Sequence, residues 1–510
     1  MTDTAACWTA LENTPTATLK ELFAADADRV GTYSATLTVE ESEVYFDWSK
    51  THLSADLVAR FEALAEAAGF DAARETMLGG GMANPTEGRA AEHTAQRGIG
   101  ADESVAEADA FHMRMRGLVE AIHDGVFGPV KHLIHIGIGG SALGPALAID
   151  ALARPTAEWR APVDVHVVSN IDGNALEAAF EVCDPATTMI AVASKTFTTI
   201  ETMTNAASAI QWLEESGVPD PYGKVVALTA SPDKAVEWGV DETRVLPFSE
   251  SVGGRYSLWS SIGFPVAIAL GWDGFAEFLE GAAAVDRHFA DTDGFANLPL
   301  RAAFVDLMYV QLRGCQTRAV FAYDERLALF PDYLQQLEME SNGKSVLADG
   351  SPLGRQSAPI TWGGVGTDAQ HAVFQLLHQG TVEVPVDFIA VKQPGHDLDP
   401  EHHAILLTNC FAQGAALMAG KESDDGARAY PGNRPSTTIL CDKMDPATLG
   451  ALIAFHEHRT FANAVLLGIN PFDQFGVELG KQIANQIAAG GGEGFDPSTE
   501  ALLAAAGLKD

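Results

Sequence analysis

The chain has 510 residues, 47% hydrophobic and 20% charged, too long for one ordinary core, so two large domains or more are expected. Its 69 acidic and 32 basic residues leave a net charge of −37, which argues against nucleic acid and anionic membranes as partners. A small anionic substrate is still compatible, because a site can be locally positive within an acidic surface. The five cysteines (Cys7, Cys183, Cys315, Cys410, Cys441) are scattered without a Cys-x-x-Cys pair, so neither a disulfide framework nor a cysteine zinc site is signalled. An acidic start in place of a basic signal-peptide region, with no long uninterrupted apolar run, points to a cytoplasmic protein.

Residues 1–100 read as helices and connectors, with helical spacing at 18–24 and 55–68 and one short stretch, 33–39, that can form a strand. His93 and Arg97 read here as surface residues. From about residue 101 a βα rhythm sets in. A helix pattern at 105–123 precedes strands at 132–136, 164–168, 189–193 and 224–228, with helices between them. Such alternation implies a parallel sheet with right-handed crossovers. The rhythm breaks at Gly253-Gly254-Arg255, and a long helical region leads to a second unit of the same grammar. Its strands are expected at 318–322, 359–362 and 386–391. A terminal helix at 476–489 is followed by a Gly-Gly-Gly run and a tail.

Several stretches carry chemistry. Gly-Ile-Gly-Gly-Ser-Ala-Leu-Gly at 137–144 follows a buried strand and opens a helix, which suits phosphate: glycines let backbone N–H groups approach an anion, and Ser141 adds a hydroxyl. The spacing also fits a permissive dinucleotide fingerprint, but the acidic residue which that fingerprint needs after the next strand comes late, at Asp172. Ser194-Lys195-Thr196-Phe197-Thr198-Thr199 forms a second hydroxyl-rich strand end, where ligands of open parallel sheets bind. A Ser/Thr helix cap explains one or two of these hydroxyls but not the lysine, and Phe197 reads as core. Behind two glycines, Arg255 can face an anion or developing negative charge; an interdomain ion pair explains it equally well.

Asp332 to Ser345 begins as an amphipathic helix and ends in Ser-Asn-Gly, with Gly343 placed to take positive φ. If the helix runs through Met339, Gln336 and Glu340 stand one turn apart on one face and Glu338 points elsewhere. A carboxylate beside an amide, with Lys344 just beyond, suits a proton-moving base; on these residues alone, an acidic helix end in an acidic protein explains as much. His371 follows a Gly-rich entry and is an acid/base candidate, while His378, two turns on and roughly on the same face, reads as structural. Gln474, Glu478 and Lys481 are expected along one helix face, where a Glu478–Lys481 ion pair is the plain alternative. His402-His403 and His456-Glu457-His458 read as exposed, and no His-Glu-x-x-His metal pattern is present.

Taken together, the runs at 84–97, 136–145, 194–205, 252–263, 335–344, 366–380 and 472–481 resemble the glucose-6-phosphate isomerase (phosphoglucose isomerase) family, in family order over roughly three quarters of the chain. Val-Gly-Gly-Arg-Tyr-Ser-Leu-Trp-Ser-Ser-Ile-Gly and Gln-Phe-Gly-Val-Glu-Leu-Gly-Lys carry the resemblance most strongly. It implies an α/β fold of two SIS-type doubly wound, mainly parallel sheet domains with helical N-terminal and C-terminal extensions. The expected bounds are 1–100 for an N-terminal region packing on the second domain, 101–268 and 269–475 for the two domains, and 476–510 for the C-terminal helix and tail. It also implies a homodimer that interconverts glucose 6-phosphate and fructose 6-phosphate through a cis-enediol, a route needing no metal and no nicotinamide cofactor.

Carried over residue by residue, the family pattern puts the substrate phosphate on Gly140, Ser141, Ser194, Lys195, Thr196 and Thr199. Glu340 becomes the base that moves a proton between C2 and C1, and Arg255 stabilises the enediolate. His371, supplied by the neighbouring subunit, and Lys481 assist ring opening; Gln336 and Gln474 line the site. Glu201 is expected to orient His371, since a carboxylate on one ring nitrogen fixes the tautomer at the other. Gln96, where the family has leucine, and the variable Leu337-Glu338 touch none of these roles. Two other readings are a sugar-phosphate-binding regulator, which needs no Glu340–His371–Lys481 set, and a nicotinamide dehydrogenase. An isomerase of another phosphosugar is the nearest neighbour within the enzyme class.

Overall fold

The computed structural model describes residues 3–154, 157–489 and 494–508; the Gly-Gly-Gly run expected after the terminal helix lies outside the described residues. The chain divides into two units, Met1–Pro471 and Phe472–Asp510.

In the first unit a hairpin, β1 (Ser34–Val39) and β2 (Ser42–Asp47), precedes the sheet domains. A five-stranded parallel sheet follows, made of β3 (His132–Ile136), β4 (Asp164–Val168), β5 (Thr188–Ala193), β6 (Val225–Thr229) and β7 (Val245–Pro247) in the order β4-β3-β5-β6-β7. The expected bounds of β3 and β4 coincide with those observed, β5 starts one residue earlier, and β6 is shifted by one residue along the chain. Every residue of β5 is buried, because helices cover both faces of a parallel sheet and reward a continuous apolar run. The short strand β7 carries too little pattern to be read from sequence.

The second sheet contains β8 (Thr317–Tyr323), β9 (Ile360–Val365), β10 (Val386–Val391) and β11 (Ser436–Cys441) in the order β1-β2-β11-β10-β8-β9. β8 to β11 are mutually parallel, whereas β2 pairs antiparallel with β11, so the N-terminal extension adds a hairpin to this sheet besides its helices.

Two long helices, Phe264–Asp291 and Pro446–Leu467, pack directly on each other. Glycines set their approach: a Cβ on Gly281 would stand 1.9 Å from the Ala447 carbonyl oxygen, and one on Gly450 would stand 2.1 Å from that of Phe278. The segment Ser261–Asp291 is long and apolar enough to cross a membrane by composition, but 67% of its apolar window is buried within the fold.

This interface overturns the surface assignment of five residues. His93 and Arg97 are buried, and so are His456, Glu457 and His458. Arg97 donates to Asp286 (2.7 Å) and Glu457 (2.6 Å), the Trp259 indole N–H donates to Glu457 (2.8 Å), and His458 Nε2 lies 2.6 Å from Asp286. The charges of Arg97 and Asp286 are tolerable in the core because each has a partner there. Burial still pushes the Glu457 carboxyl up to about 7. His403 is also buried, bonded to the Lys392 carbonyl, whereas His402 is exposed as expected.

Candidate active site

β3 and β5 lie side by side, with β4 outside the first and β6 outside the second, so the strand order reverses between them. Loops leaving such a switch point form a crevice at the carboxyl ends of the strands. Both candidate anion loops leave there. After β3, Gly139–Ser141 makes a tight turn with Gly139 at φ 57°, then enters the helix Leu143–Leu152. After β5, residues 194–199 enter the helix Ile200–Glu215. Each loop therefore stands at a helix N-terminus, where backbone N–H groups favour an anion. Phe197 takes φ 52° and is buried in the core, as expected. The hydroxyls of Ser194 and Thr199 bond to each other (3.0 Å), as do those of Thr196 and Thr198 (2.9 Å).

The Lys195 ammonium instead donates to the carbonyls of Glu250 (2.6 Å) and Val252 (2.9 Å). Burial, with Arg89 nearby, pulls it down to about 8. Its side chain thus ties the second anion loop to the segment that leads into Arg255. The first anion loop meets the same segment more closely. A Cβ on Gly140 would stand 2.2 Å from the carbonyl carbon and oxygen of Gly254 and 2.5 Å from the Arg255 nitrogen, so only glycine fits.

Arg255 is the second residue of the turn Gly254–Trp259 and is buried. Its Nε donates to Ser341 Oγ (2.7 Å), which also bonds the Tyr256 hydroxyl (2.9 Å), and another guanidinium nitrogen donates to the Pro471 carbonyl. The remaining terminal nitrogen lies 3.8 Å from the Glu340 carboxylate. The Gln336 amide donates to that carboxylate at 3.0 Å, and a Cβ on Gly139 would stand 3.0 Å from the same amide nitrogen. Gly139–Gly140, Arg255, Glu340 and Gln336 thus close a ring. The Glu340 side chain is 23% exposed and that of Arg255 only 2%, so the carboxylate is the one open to a ligand.

The expected α-helix through Met339 is Phe330–Leu334 followed by a π-helical stretch, Gln335–Glu340. Wide turns of this kind recur at functional sites. Glu338 points away from Glu340 as expected, into the sheet: it pairs with Arg318 of β8 and accepts from Thr361 of β9 (2.6 Å). Arg318 and Thr361 are register partners, and Arg318 also pairs with Asp387 of β10 (2.7 Å). The turn is therefore pinned to three adjacent strands. Asn342 donates to the Thr460 carbonyl (2.9 Å), fixing the far end. Gly343 does not take positive φ. A Cβ there would stand 2.3 Å from the Met339 carbonyl oxygen, and that contact is what requires glycine.

His371 lies exposed on the helix Gly366–Ala372, which Gly366 seats tightly on β8, since a Cβ there would meet the Tyr323 ring at 2.5 Å. His378 belongs to a separate helix, Phe374–Gln379, because the chain breaks at Val373, so the expected common helix face does not exist. His378 bonds Gln413 (2.9 Å), a structural contact. Glu201 is half-buried in the first turn of Ile200–Glu215 and makes no hydrogen bond with His371 among the described residues of one chain. In the second unit, Lys481 lies on the helix Glu478–Ala488, and Gln474 precedes the short turn Phe475–Val477. Gln474 is therefore not on the helix face expected for it, and Glu478 and Lys481 form no ion pair among the described residues.

Ser341, which holds Arg255 and Tyr256, and the Arg318–Thr361 anchor of Glu338 were not read from sequence. Ser341 directly follows Glu340, so its place in the run was the available signal. The anchor has no local signature.

The family model described as phosphoglucose isomerase matches residues 47–503. A glucose-6-phosphate isomerase of Novosphingobium aromaticivorans is 75% identical over 98% of this chain and 98% of its own length. One of Erythrobacter litoralis is 67% identical over 98% of each chain. The crystal structure of a glucose-6-phosphate isomerase from Chlamydia trachomatis superposes with a TM-score of 0.88 at 30% identity, covering 99% of this chain and 98% of that one.

Proposed function

The chain belongs to the phosphoglucose isomerase family and interconverts glucose 6-phosphate and fructose 6-phosphate, and we propose that Glu340 carries the proton in that reaction. Its carboxylate takes the proton from C2 of the open-chain aldose. The C–H electrons form the C1–C2 double bond, and the carbonyl electrons move onto O1. The C2 hydroxyl proton passes to O1, and Glu340 returns its proton to C1 as the C1–C2 double-bond electrons form the new C–H bond and O2 becomes the carbonyl. Arg255, held rigidly by Ser341 and Pro471, faces the oxyanion of the enediolate without having to reorganise. Gln336 holds the carboxylate oxygen nearest Arg255. The observation that carries the assignment is the 3.8 Å approach of the Arg255 guanidinium to the half-buried Glu340 carboxylate at the mouth of the anion loops.

The phosphate of the substrate is assigned to the cradle of Gly140, Ser141, Ser194, Thr196 and Thr199. Lys195 contributes its backbone and a nearby charge, because its ammonium is engaged by Glu250 and Val252. His371 and Lys481 are assigned to ring opening, with Gln474 lining the site. Exposure of His371 in the single chain, together with exposed apolar Leu376, Ile405 and Phe411 on neighbouring helices, favours a homodimer in which a second copy supplies His371. Glu201 is then assigned to orient the second copy's histidine. The domain bounds 101–268 and 269–475 separate β3–β7 from β8–β11, while residues 1–100 lend the second sheet its β1–β2 hairpin.

The decisive experiment is isomerisation of fructose 6-phosphate in D2O with chelator present. Wild type incorporates deuterium at C2 of the product; Glu340→Gln is expected to bind substrate and incorporate almost none. Equal incorporation by both proteins removes Glu340 from the role. For the dimer, mixing inactive Glu340→Gln with inactive His371→Ala is expected to regenerate active mixed dimers, and a mixture that stays inactive argues against histidine sharing.

A further inference from the structure

At the opposite edge of the five-stranded sheet, three groups unused by the isomerase chemistry converge. His132 opens β3, His166 lies in the middle of β4, and Cys183 caps the C-terminal end of the helix Gly173–Val182. In the strand register His132 opposes Asp164 and Ile134 opposes His166, so both histidines share the face that Ile134, Ile136 and Val168 continue into the apolar core. Two imidazoles and a thiol are out of character with that aliphatic layer. Their ligating atoms all lie within 4.8 Å of one another, with His132 and His166 half-buried and Cys183 buried.

We propose that His132, His166 and Cys183 bind a borderline-soft divalent cation of the zinc class. His132 Nδ1 and His166 Nε2 are 3.3 Å apart. Two Zn–N bonds of about 2.0–2.1 Å at a tetrahedral angle place their nitrogens about 3.3–3.4 Å apart. Without a cation the same separation serves an imidazole-to-imidazole hydrogen bond. A Zn–S bond of about 2.3 Å requires the thiol to approach the two nitrogens more closely than the 4.8 Å that bounds the group. The helix that ends at Cys183 directs its carbonyl-rich terminus at the same point, which favours a cation. Water can complete the tetrahedron, since the nearby Asp164 carboxylate is engaged by Arg160 (2.5 Å). On binding, the thiol proton leaves to solvent and the sulfur electron pair goes to the metal. Because β4 is an edge strand of its sheet, the cation would clamp that edge to β3 and to the helix above it.

The test is titration of chelator-treated, dialysed protein with Co2+ as a spectroscopic substitute for Zn2+. One equivalent is expected to produce a thiolate-to-cobalt charge-transfer band that Zn2+ displaces, and Zn2+ is expected to raise the thermal unfolding midpoint. Cys183→Ser and His166→Gln, checked for folding by their isomerase activity, should lose the band and weaken Zn2+ binding by about tenfold or more. If Cys183→Ser does not fold, the half-buried His166→Gln decides. No band at one equivalent, or a band that survives in the folded variants, overturns the site.

Discussion

At the edge of the five-stranded sheet the polar groups are hydroxyls bonded to one another, Ser194 to Thr199 and Thr196 to Thr198, on backbone that turns into two helix N-termini. The turn beyond β8 is built from full charges, with Glu338 locked to Arg318 and Arg318 to Asp387 beneath a half-buried Glu340. The difference follows from the two tasks. Holding an anion requires only donors at fixed distance, which backbone and hydroxyls supply without a buried charge to neutralise. Moving a proton requires a charged group held within a fraction of an ångström, and the paired charges behind it supply that rigidity.

If this contrast is right, substitutions in the turn alter turnover or folding, and substitutions in the cradle alter affinity. The largest effect is expected for Glu340→Gln, with kcat lower by about 10²–10⁴-fold at nearly unchanged KM, read by steady-state kinetics. Glu338→Ala leaves buried Arg318 short of one partner, and urea denaturation should show a loss of about 3–5 kcal/mol. Arg255→Lys loses the fixed fork that reaches both Ser341 and Glu340, and kcat should fall by about 10²–10³-fold. Ser194→Ala should raise KM by about tenfold, equivalent to one charge-assisted hydrogen bond, with kcat little changed. A large kcat effect from Ser194→Ala would erase the contrast.

The smallest effect concerns pH. Lys195 is pulled down to about 8 from an ordinary lysine value near 10.5. Below pH 8 its ammonium adds positive charge beside the cradle; above it that charge is lost and phosphate binding weakens. The profile of kcat/KM should therefore fall on an alkaline limb near pH 8, and Lys195→Arg should move that limb out of range.

Local pattern made much of this legible. The bounds of β3, β4 and β10 follow from short apolar runs, and the four-residue spacing of Gln336 and Glu340 survives the change from α to π winding as a 3.0 Å hydrogen bond. The glycine and hydroxyl loops were readable because strand, loop and helix are contiguous in the chain. β2, β7, β11 and the central helix Pro446–Leu467 were not read, nor was the burial of His93, Arg97 and His456 to His458.

Periodicity, turn chemistry and loop composition act over a few residues, and the sequence by itself determined them: the βα order, the two anion loops, the amide beside the carboxylate. Arg97 meets Asp286 across 189 positions and Glu457 across 360, and Arg318 meets Asp387 across 69. A charged residue looks like a surface residue until its partner is brought to it, because its burial is set by a pairing energy absent from its own neighbourhood. Only the tertiary structure decided which arginines face the core, which of two nearby glutamates stays open, and that the Lys195 ammonium binds the chain rather than facing the anion cradle.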